Sequence, residues 1–399
     1  MLGETLNAPP PAPAGTGTRL LPKRLLYSIF ARIGDTGLGT EAYEKVLAAY
    51  RGGFLGKVVG YGDKQSEIPP ALVQSLRLHP VRLISFIDRP YYYGAKKKYL
   101  DWITSRHLDT GRYDFFHSWS GDCLKSLRIA KKRRIPSVVE IPTWHRDRGK
   151  VNAEPKTREP RRSCKERLIV RREDYLEEYQ LADMFLVFSQ KAADSFRMQG
   201  FPEEKLFYLP NGVDTERYKP GVRPDKFRVV FSGALIKRKG IHLVLEAWHR
   251  LALKNAELWL IGTVHDEAKP YLQQFWRDNI NLVGFVRDVE NYLAQGTIYV
   301  FPSELEGNAK TVNEAASCGL PVITTREAGD VVNDGIEGLI IPPKDADALM
   351  AAIQHLYDHP EIVERMSVAA RQRVVEHFRW EHCRERLLSA YDTVMRKAR

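Results

Sequence analysis

Two glutamates eight positions apart, Glu306 and Glu314, stand in the segment FPSELEGNAKTVNEAASCGLPVITT, residues 301–325. An apolar run ends at Phe301, and Pro302 and Ser303 break it. A helix is then expected from about Lys310 to Cys318, stopped by Gly319 and Pro321. Helical side chains lean back toward the N-terminus, so Glu314, about one turn in, reaches the mouth that Glu306 lines from the loop. The amides of about Asn308, Ala309, Lys310 and Thr311 have no partner within such a helix and make an anion site at its start. One short stretch therefore offers two carboxylates to sugar hydroxyls and a row of amides to a diphosphate. On spacing alone the plainer alternative, two solvated glutamates, stays open.

The first half of the chain offers a looser set. His117, in YDFFHSWSG, ends an expected strand and should point into a ligand cleft; a packed core histidine is the other reading. Trp119, Trp144 and His145 carry rings that can stack on a sugar or simply pack. Gly34, Gly37 and Gly39 form G-x-x-G-x-G, not the G-x-G-x-x-G of a dinucleotide site. A tight strand-to-helix turn accounts for each of these glycines as well as a ligand loop does.

Such residues need elements to hold them. Short apolar runs alternate with amphipathic stretches along the chain. Buried strands are expected at Leu25–Phe30, Lys57–Gly60, Arg82–Ile87, Phe115–His117, Val138–Ile141 and Met184–Ser189. In the second half they are expected at Arg228–Ser232, Glu257–Ile261, Asn281–Val283, Thr297–Phe301, Pro321–Thr325 and Gly338–Ile341. Helices are clearest at Thr40–Tyr50, Gly240–Leu253, Thr311–Cys318, Ala346–His359 and Trp380–Arg396. Continuous apolar runs with helices between them indicate α/β architecture with parallel sheets covered on both faces. The turn-rich PNGVDTERYKPGVRPDK, residues 210–226, marks a boundary near 214–226. The expected division is a disordered Pro-, Ala- and Gly-rich leader (1–20), a first domain (21–215), a second (216–380) and a last helix (381–399). Two such domains facing each other make a cleft, and the chemistry belongs there.

Composition narrows the function classes. With 399 residues, 43% hydrophobic and 28% charged, the chain is an ordinary globular one, with room for two or three domains at roughly 150 residues each. No apolar run approaches the ~18 residues of a membrane span. The four cysteines, at 123, 164, 318 and 383, lack C-x-x-C spacing, which argues against a zinc site or disulfide scaffold and for a reducing, cytoplasmic setting. The net charge of +11 is uneven: residues 1–220 hold 38 basic and 26 acidic side chains, the remainder 23 and 24. The first half thus carries all the positive charge and should face something anionic. Its densest stretch, residues 145–172, has eleven Lys or Arg (146, 148, 150, 156, 158, 161, 162, 165, 167, 171, 172), and Lys96–Lys98 and Lys131–Arg134 add two clusters. Beside Tyr91–Tyr93, such clusters suit an anionic acceptor or the anionic inner face of a membrane.

The motifs together resemble glycosyltransferase family 4. The E-x7-E of Glu306 and Glu314 lies between FPS and EAASCGLPVI. Further matches are SGALIKRKGIHLVLEA (232–247), LVGFVRD (282–288), NDGIEGLIIPPKD (333–345), LPNGVDTERYKP (209–220) and ADMFLVFSQ (182–190). The resemblance is strong over about 180–395 and weaker, but in order, over 24–150. It implies a GT-B fold of two Rossmann-like domains and a retaining transfer of a hexose-type sugar from a nucleoside diphosphate donor, UDP or GDP, needing no metal or other cofactor. By position, Glu314 would hold the ribose and Glu306 the donor sugar. The loop from Gly307 and the amides of Asn308–Thr311 would take the distal phosphate. Lys239 beside Gly233 would pair with the diphosphate, with Arg238 or Lys237, and Val286 would offer backbone to the base. Gly37 and Gly39 would sit near donor phosphate and acceptor, and His117 near the sugar. Where the family usually has Arg after the glycine of the strand-end loop, this chain has Ala234. The family often has a second His where Trp119 stands. The acceptor implied is a glycan or lipid-linked, anionic intermediate of envelope or polysaccharide synthesis, with no nucleic acid partner. Two rivals are a nucleotide-sugar epimerase on the same fold and a non-catalytic basic protein for membrane or nucleic acid.

Overall fold

The computed structural model describes residues 19–147, 165–223 and 225–399. Most of the expected leader, Cys164 and the basic residues at 148–162 lie outside that set. The chain divides into two units: one holds the described residues through 187 with 192–209 and 384–399, the other 188–191 and 210–383.

The first unit is built on seven strands: β1 (Leu25–Ser28), β2 (Leu55–Gly60), β3 (Val73–Ser75), β4 (Phe115–Trp119), β5 (Ser137–Ile141), β6 (Met184–Val187) and β7 (Leu206–Tyr208). They pair in parallel in the order β3-β2-β1-β4-β5-β6-β7. Helices α1 (Leu38–Arg51), α2 (Arg89–Asp109), α3 (Leu124–Lys132), α4 (Arg172–Leu181) and α5 (Gln190–Arg197) connect them. β1, β4, β5 and β6 are buried at every position, as strands covered on both faces must be.

The second unit carries β8 (Phe227–Ser232), β9 (Ala256–Ile261), β10 (Ile280–Gly284), β11 (Ile298–Phe301), β12 (Val322–Thr324) and β13 (Gly338–Ile340), all parallel, in the order β10-β9-β8-β11-β12-β13. Its helices are α6 (Ile241–Arg250), α7 (Lys269–Phe275), α8 (Val289–Leu293), α9 (Lys310–Ser317), α10 (Ala346–Asp358) and α11 (Pro360–His377). The last helix, α12 (Trp380–Lys397), starts here and contributes 384–399 to the first unit, where Tyr391 packs on Phe115 and Phe54. In each sheet the strand order reverses once, between β1 and β4 and between β8 and β11. The crevice beyond the carboxyl ends of such strands is where open α/β sheets bind ligands.

One expected strand is absent. Arg82–Ile87 is not extended; a 3-10 turn, Pro80–Ile84, takes up its first half, and the third strand is β3. Pro80 fixes φ at the first position of that turn. Inward residues recur at Leu76, His79, Val81, Ile84 and Ile87, a spacing near three rather than the two of a strand. The expected helix from Gly240 begins one residue later, because Gly240 is left-handed at φ +79° and serves as its cap.

Candidate active site

The two strands flanking the second unit's reversal, β8 and β11, end at Ser232 and Phe301. Pro302 has no N–H to extend a ladder, so β11 stops there and the chain enters a loop. That loop is fastened to the turn Lys237–Lys239. Glu304 N donates to Arg238 O at 2.8 Å, Ser303 Oγ donates to the same oxygen at 3.1 Å, and the Arg238 guanidinium donates to Leu305 O. The close approach needs glycine: a Cβ on Gly240 would lie 2.2 Å from Pro302 O.

This fastening brings charge together. Arg238 lies 2.9 Å and Lys239 3.9 Å from Glu306 Oε1. Lys239 is largely buried, with its ammonium 5.3 Å from the Phe301 ring centre. Burial lowers its pKa, opposed by Glu306 and by Glu314, so both glutamates act on this one ammonium. Gly233 leaves room for it: a Cβ there would meet Lys239 Nζ at 3.0 Å. Lys237 is elsewhere, exposed, its ammonium 5.0 Å from the Tyr271 ring centre on α7. Of the two candidates for a second cation, the structure therefore brings Arg238, not Lys237, to Glu306. Ala234 and Val286 are both half-buried.

The start of α9 is held as firmly. Glu306 N donates to Glu327 O at 2.9 Å and Ala309 N to Ala328 O at 2.7 Å. Asn308 Nδ2 donates to Phe188 O, Asn211 Nδ2 to Asn308 O, and Asn313 Nδ2 to Asn211 O. No side chain caps the helix. The row of amides expected to receive an anion is thus shortened by one, because the Ala309 N–H is already committed. Lys310 points its ammonium toward the Trp380 ring, 5.6 Å from its centre. Thr311 and Gly307 lie within the same loop and first turn. Glu314 is nearly buried and hydrogen-bonds Tyr218, whose hydroxyl pKa is raised by burial and then by that carboxylate. Tyr218 and Asn211 were not singled out from sequence, although both stand in LPNGVDTERYKP.

The first unit corrects several expectations. His117 is fully buried, not turned to a cleft. Its Nδ1 lies 2.7 Å from the Tyr391 hydroxyl and its Nε2 3.0 Å from Glu140 Oε1. Glu140 also pairs with Lys45 and accepts from Tyr27 OH at 3.0 Å, and Trp119 Nε1 donates to that hydroxyl at 2.8 Å. Burial would push Glu140 up, but Lys45 and His117 hold it below the usual range. His117 and Trp119 are thus core residues of a buried polar cluster. His145 is another, packed on Tyr179, Phe196 and Phe201 and pushed down to about 4 by burial. Trp144 is half-buried against the same core. Gly37, left-handed at φ +70°, caps α1, and a Cβ on Gly39 would lie 2.2 Å from Arg32 O; both serve the turn.

Two family models match this chain. One, described as Glycosyltransferase Family 4, covers residues 58–217; the other, Glycosyl transferases group 1, covers 226–359. Between them they take in more than half of the sequence. The chain belongs to glycosyltransferase family 4. The capsular polysaccharide biosynthesis glycosyltransferase CapM of Staphylococcus aureus is 28% identical to this family 4 chain over 200 residues, 48% of this chain and 52% of that protein. The chain thus spans about half the length of that relative. The alpha-maltose-1-phosphate synthase of Mycobacterium tuberculosis is 25% identical over 330 residues, 73% of this chain and 77% of that protein. Among solved structures, Anabaena HepE in complex with UDP superposes with a TM-score of 0.67 at 16% identity, covering 90% of this chain and 97% of that one. The fold is GT-B. Among the described residues of this family 4 protein, no group of three or more His, Cys, Asp or Glu is placed to hold a metal ion. None of its described helices is long and apolar enough to cross a membrane. Cys123, Cys318 and Cys383 are buried.

Proposed function

We propose that the protein transfers a hexose from a nucleoside diphosphate sugar, UDP- or GDP-linked, to a hydroxyl of a glycan or lipid-linked acceptor in polysaccharide or envelope synthesis, with retention at the anomeric carbon. The observation that carries this reading is the meeting of Lys239, Arg238 and Glu306 beside the start of α9, at the point where the second sheet reverses. Glu314 holds the ribose hydroxyls, Glu306 the donor sugar, and Val286 backbone the base. Lys239 and Arg238 face the diphosphate, with the amides of Asn308, Lys310 and Thr311 on its distal phosphate. When the bond from anomeric carbon to phosphate oxygen breaks, the electron pair leaves with the diphosphate. Fixed cations and helix-start amides stabilise the charge that develops there. The acceptor hydroxyl attacks from the same face and its proton passes to the departing phosphate oxygen, so the reading requires neither a protein nucleophile nor a metal.

The acceptor is anionic in this reading. The support is Lys96, whose ammonium lies 4.2 Å from the Tyr61 ring centre and 5.1 Å from that of Phe30, with Tyr92 and Tyr93 around it. Phe30 and Tyr61 follow the carboxyl ends of β1 and β2. Burial lowers the Lys96 pKa and Arg32 lowers it further, so the charge acting on it is another cation. An anion from the acceptor would relieve that repulsion.

The test is thermal stabilisation by UDP, GDP, ADP and dTDP, on this chain and on Glu314→Ala, followed by transfer of labelled sugar from the matching donor. One nucleotide should stabilise selectively, and less so in the variant. Stabilisation by none would overturn the donor site. Conversion of the donor sugar without an acceptor would favour an epimerase.

A further inference from the structure

We infer that the segment between β3 and α2, residues 76–89, is a surface that inserts into an anionic lipid membrane. Three of its side chains, Leu78, Leu83 and Phe86, are 81%, 81% and 83% exposed. Among the described large hydrophobic residues only Val222 is as open to solvent. They stand within nine residues of chain, and single exposed leucines elsewhere would need no explanation, but three so close together do.

The segment is anchored rather than loose. Leu76 and His79 are buried, and Val81, Ile84 and Ile87 are half-buried. The His79 ring meets that of Tyr61 edge-on at 5.1 Å. With inward residues recurring about every third position, Arg77 and Leu78, Arg82 and Leu83, and Ser85 and Phe86 fall on the opposite, outward side. Pro80 fixes the turn that sets this spacing. A rigid ribbon therefore presents apolar tips with a cation beside two of them.

The charge selects the occupant. Arg77, Arg82 and Arg89 are exposed, and among the described residues none of the three forms an ion pair. Asp88 is the only acidic residue in the segment. Leucine and phenylalanine tips interleaved with arginine match the boundary between acyl chains and anionic headgroups, where the apolar side chains bury and the guanidinium groups stay at phosphate level. The surface is also continuous with the expected acceptor edge, because Tyr61, which supports His79, also lies under Lys96. A lipid-linked acceptor gives the surface its purpose. The docking itself does not depend on sugar transfer and is measured without it.

The full chain is sedimented with vesicles of phosphatidylglycerol and phosphatidylethanolamine, and with phosphatidylcholine vesicles as the contrast. Binding to the anionic vesicles is expected. Leu78→Ser/Leu83→Ser/Phe86→Ser should weaken it by at least about tenfold for each side chain that buries. Arg77→Gln/Arg82→Gln should weaken it by about fivefold per arginine at low salt and flatten its salt dependence. All these positions are exposed, so melting temperatures and nucleotide-induced shifts should match the parent chain. Phe86→Trp gives an independent readout: its fluorescence should be quenched by lipids brominated in the acyl chain. Absence of vesicle binding by the parent chain overturns the inference. So does equal binding by parent and triple serine variant, or self-association of the parent chain that the serine variant abolishes, which would make the occupant a second copy.

Discussion

Replacing Lys239 with methionine separates a ligand cation from a structural one. The ammonium is largely buried, its pKa is lowered chiefly by burial, and its partner Glu306 keeps Arg238 at 2.9 Å when Lys239 is gone. Methionine preserves the stem over Phe301. The unliganded protein should therefore melt at or slightly above the parent temperature, because a partly desolvated charge is removed and no carboxylate is left alone. Donor binding should suffer. A charge-assisted hydrogen bond to phosphate is worth about 1.5–3 kcal/mol, or roughly 10- to 150-fold in Kd. At a nucleotide concentration about 100 times the parent Kd, ligand stabilisation is about 2.7 kcal/mol. A 30-fold weaker Kd leaves about 0.9 kcal/mol at the same concentration. For a unit of this size the ligand-induced shift would fall from about 5–11 °C to about 2–3 °C. Turnover should fall further, by roughly 100- to 1,000-fold, since charge on the leaving diphosphate grows in the transition state. The assays are a melting curve with and without nucleotide and sugar transfer at saturating donor. An undiminished nucleotide shift, or a drop in melting temperature that tracks the lost activity, would refute the argument and make Lys239 a structural ion.

Lys96→Met should raise the acceptor KM by about tenfold while leaving the nucleotide-induced melting shift unchanged; steady-state kinetics against acceptor concentration checks it. Gly240→Ala should destabilise the second unit by at least about 1–3 kcal/mol, seen as a lower urea midpoint, because the new Cβ meets Pro302 O at 2.2 Å in a left-handed backbone. His145, with its pKa near 4 in the fold and about 6.5 in the unfolded chain, contributes stability that is present above pH 6.5 and lost as pH falls toward 4. His145→Phe should remove about 2–3 kcal/mol of the stability difference between pH 7 and pH 4.5, read from urea midpoints at both pH values.

The sheets were legible because burial on both faces leaves no alternation. LLYS, SVVEI and MFLV read as continuous apolar runs, and the structure makes them β1, β5 and β6. The placement of the second unit's candidate site was legible because its parts lie close in sequence: Glu306, Glu314 and the start of α9 span nine positions, and Lys239 belongs to a compact turn. Arg82–Ile87 misled because its apolar letters resemble a strand, while what decides its conformation is Pro80 and the solvent exposure of Leu83 and Phe86. His117 misled for a different reason. Its partners come from α1, β1, β5 and α12, and Tyr391 is 274 positions away. A histidine at a strand end faces solvent or core according to what the rest of the chain places above it. The committed Ala309 amide was likewise invisible, because the acceptor oxygen of Ala328 comes from beyond β12.

The alanine at 234 removes a cation that the family resemblance leads one to expect, and the local wiring shows how this chain can manage without it. Lys237, Arg238 and Lys239 occupy one 3-10 turn, so their side chains leave the backbone in three directions, about 120° apart. Lys237 goes outward to Tyr271, Lys239 goes inward past Gly233, and Arg238 goes to the loop after β11, where Leu305 O and Glu306 hold it. Arg238 is thus preorganised beside the start of α9 by neutral and anionic acceptors, and its five N–H groups leave donors to spare for a phosphate in the proposed donor site. If it takes over the missing charge, Arg238→Ala should raise the donor KM by about tenfold or more, and adding Ala234→Arg to that variant should recover part of the loss. Arg238→Lys should recover little, since a single ammonium cannot bond Leu305 O, Glu306 and a phosphate in the planar fork that the guanidinium provides. A donor KM unchanged in Arg238→Ala would show that Lys239 and the amides of α9 neutralise the diphosphate unaided.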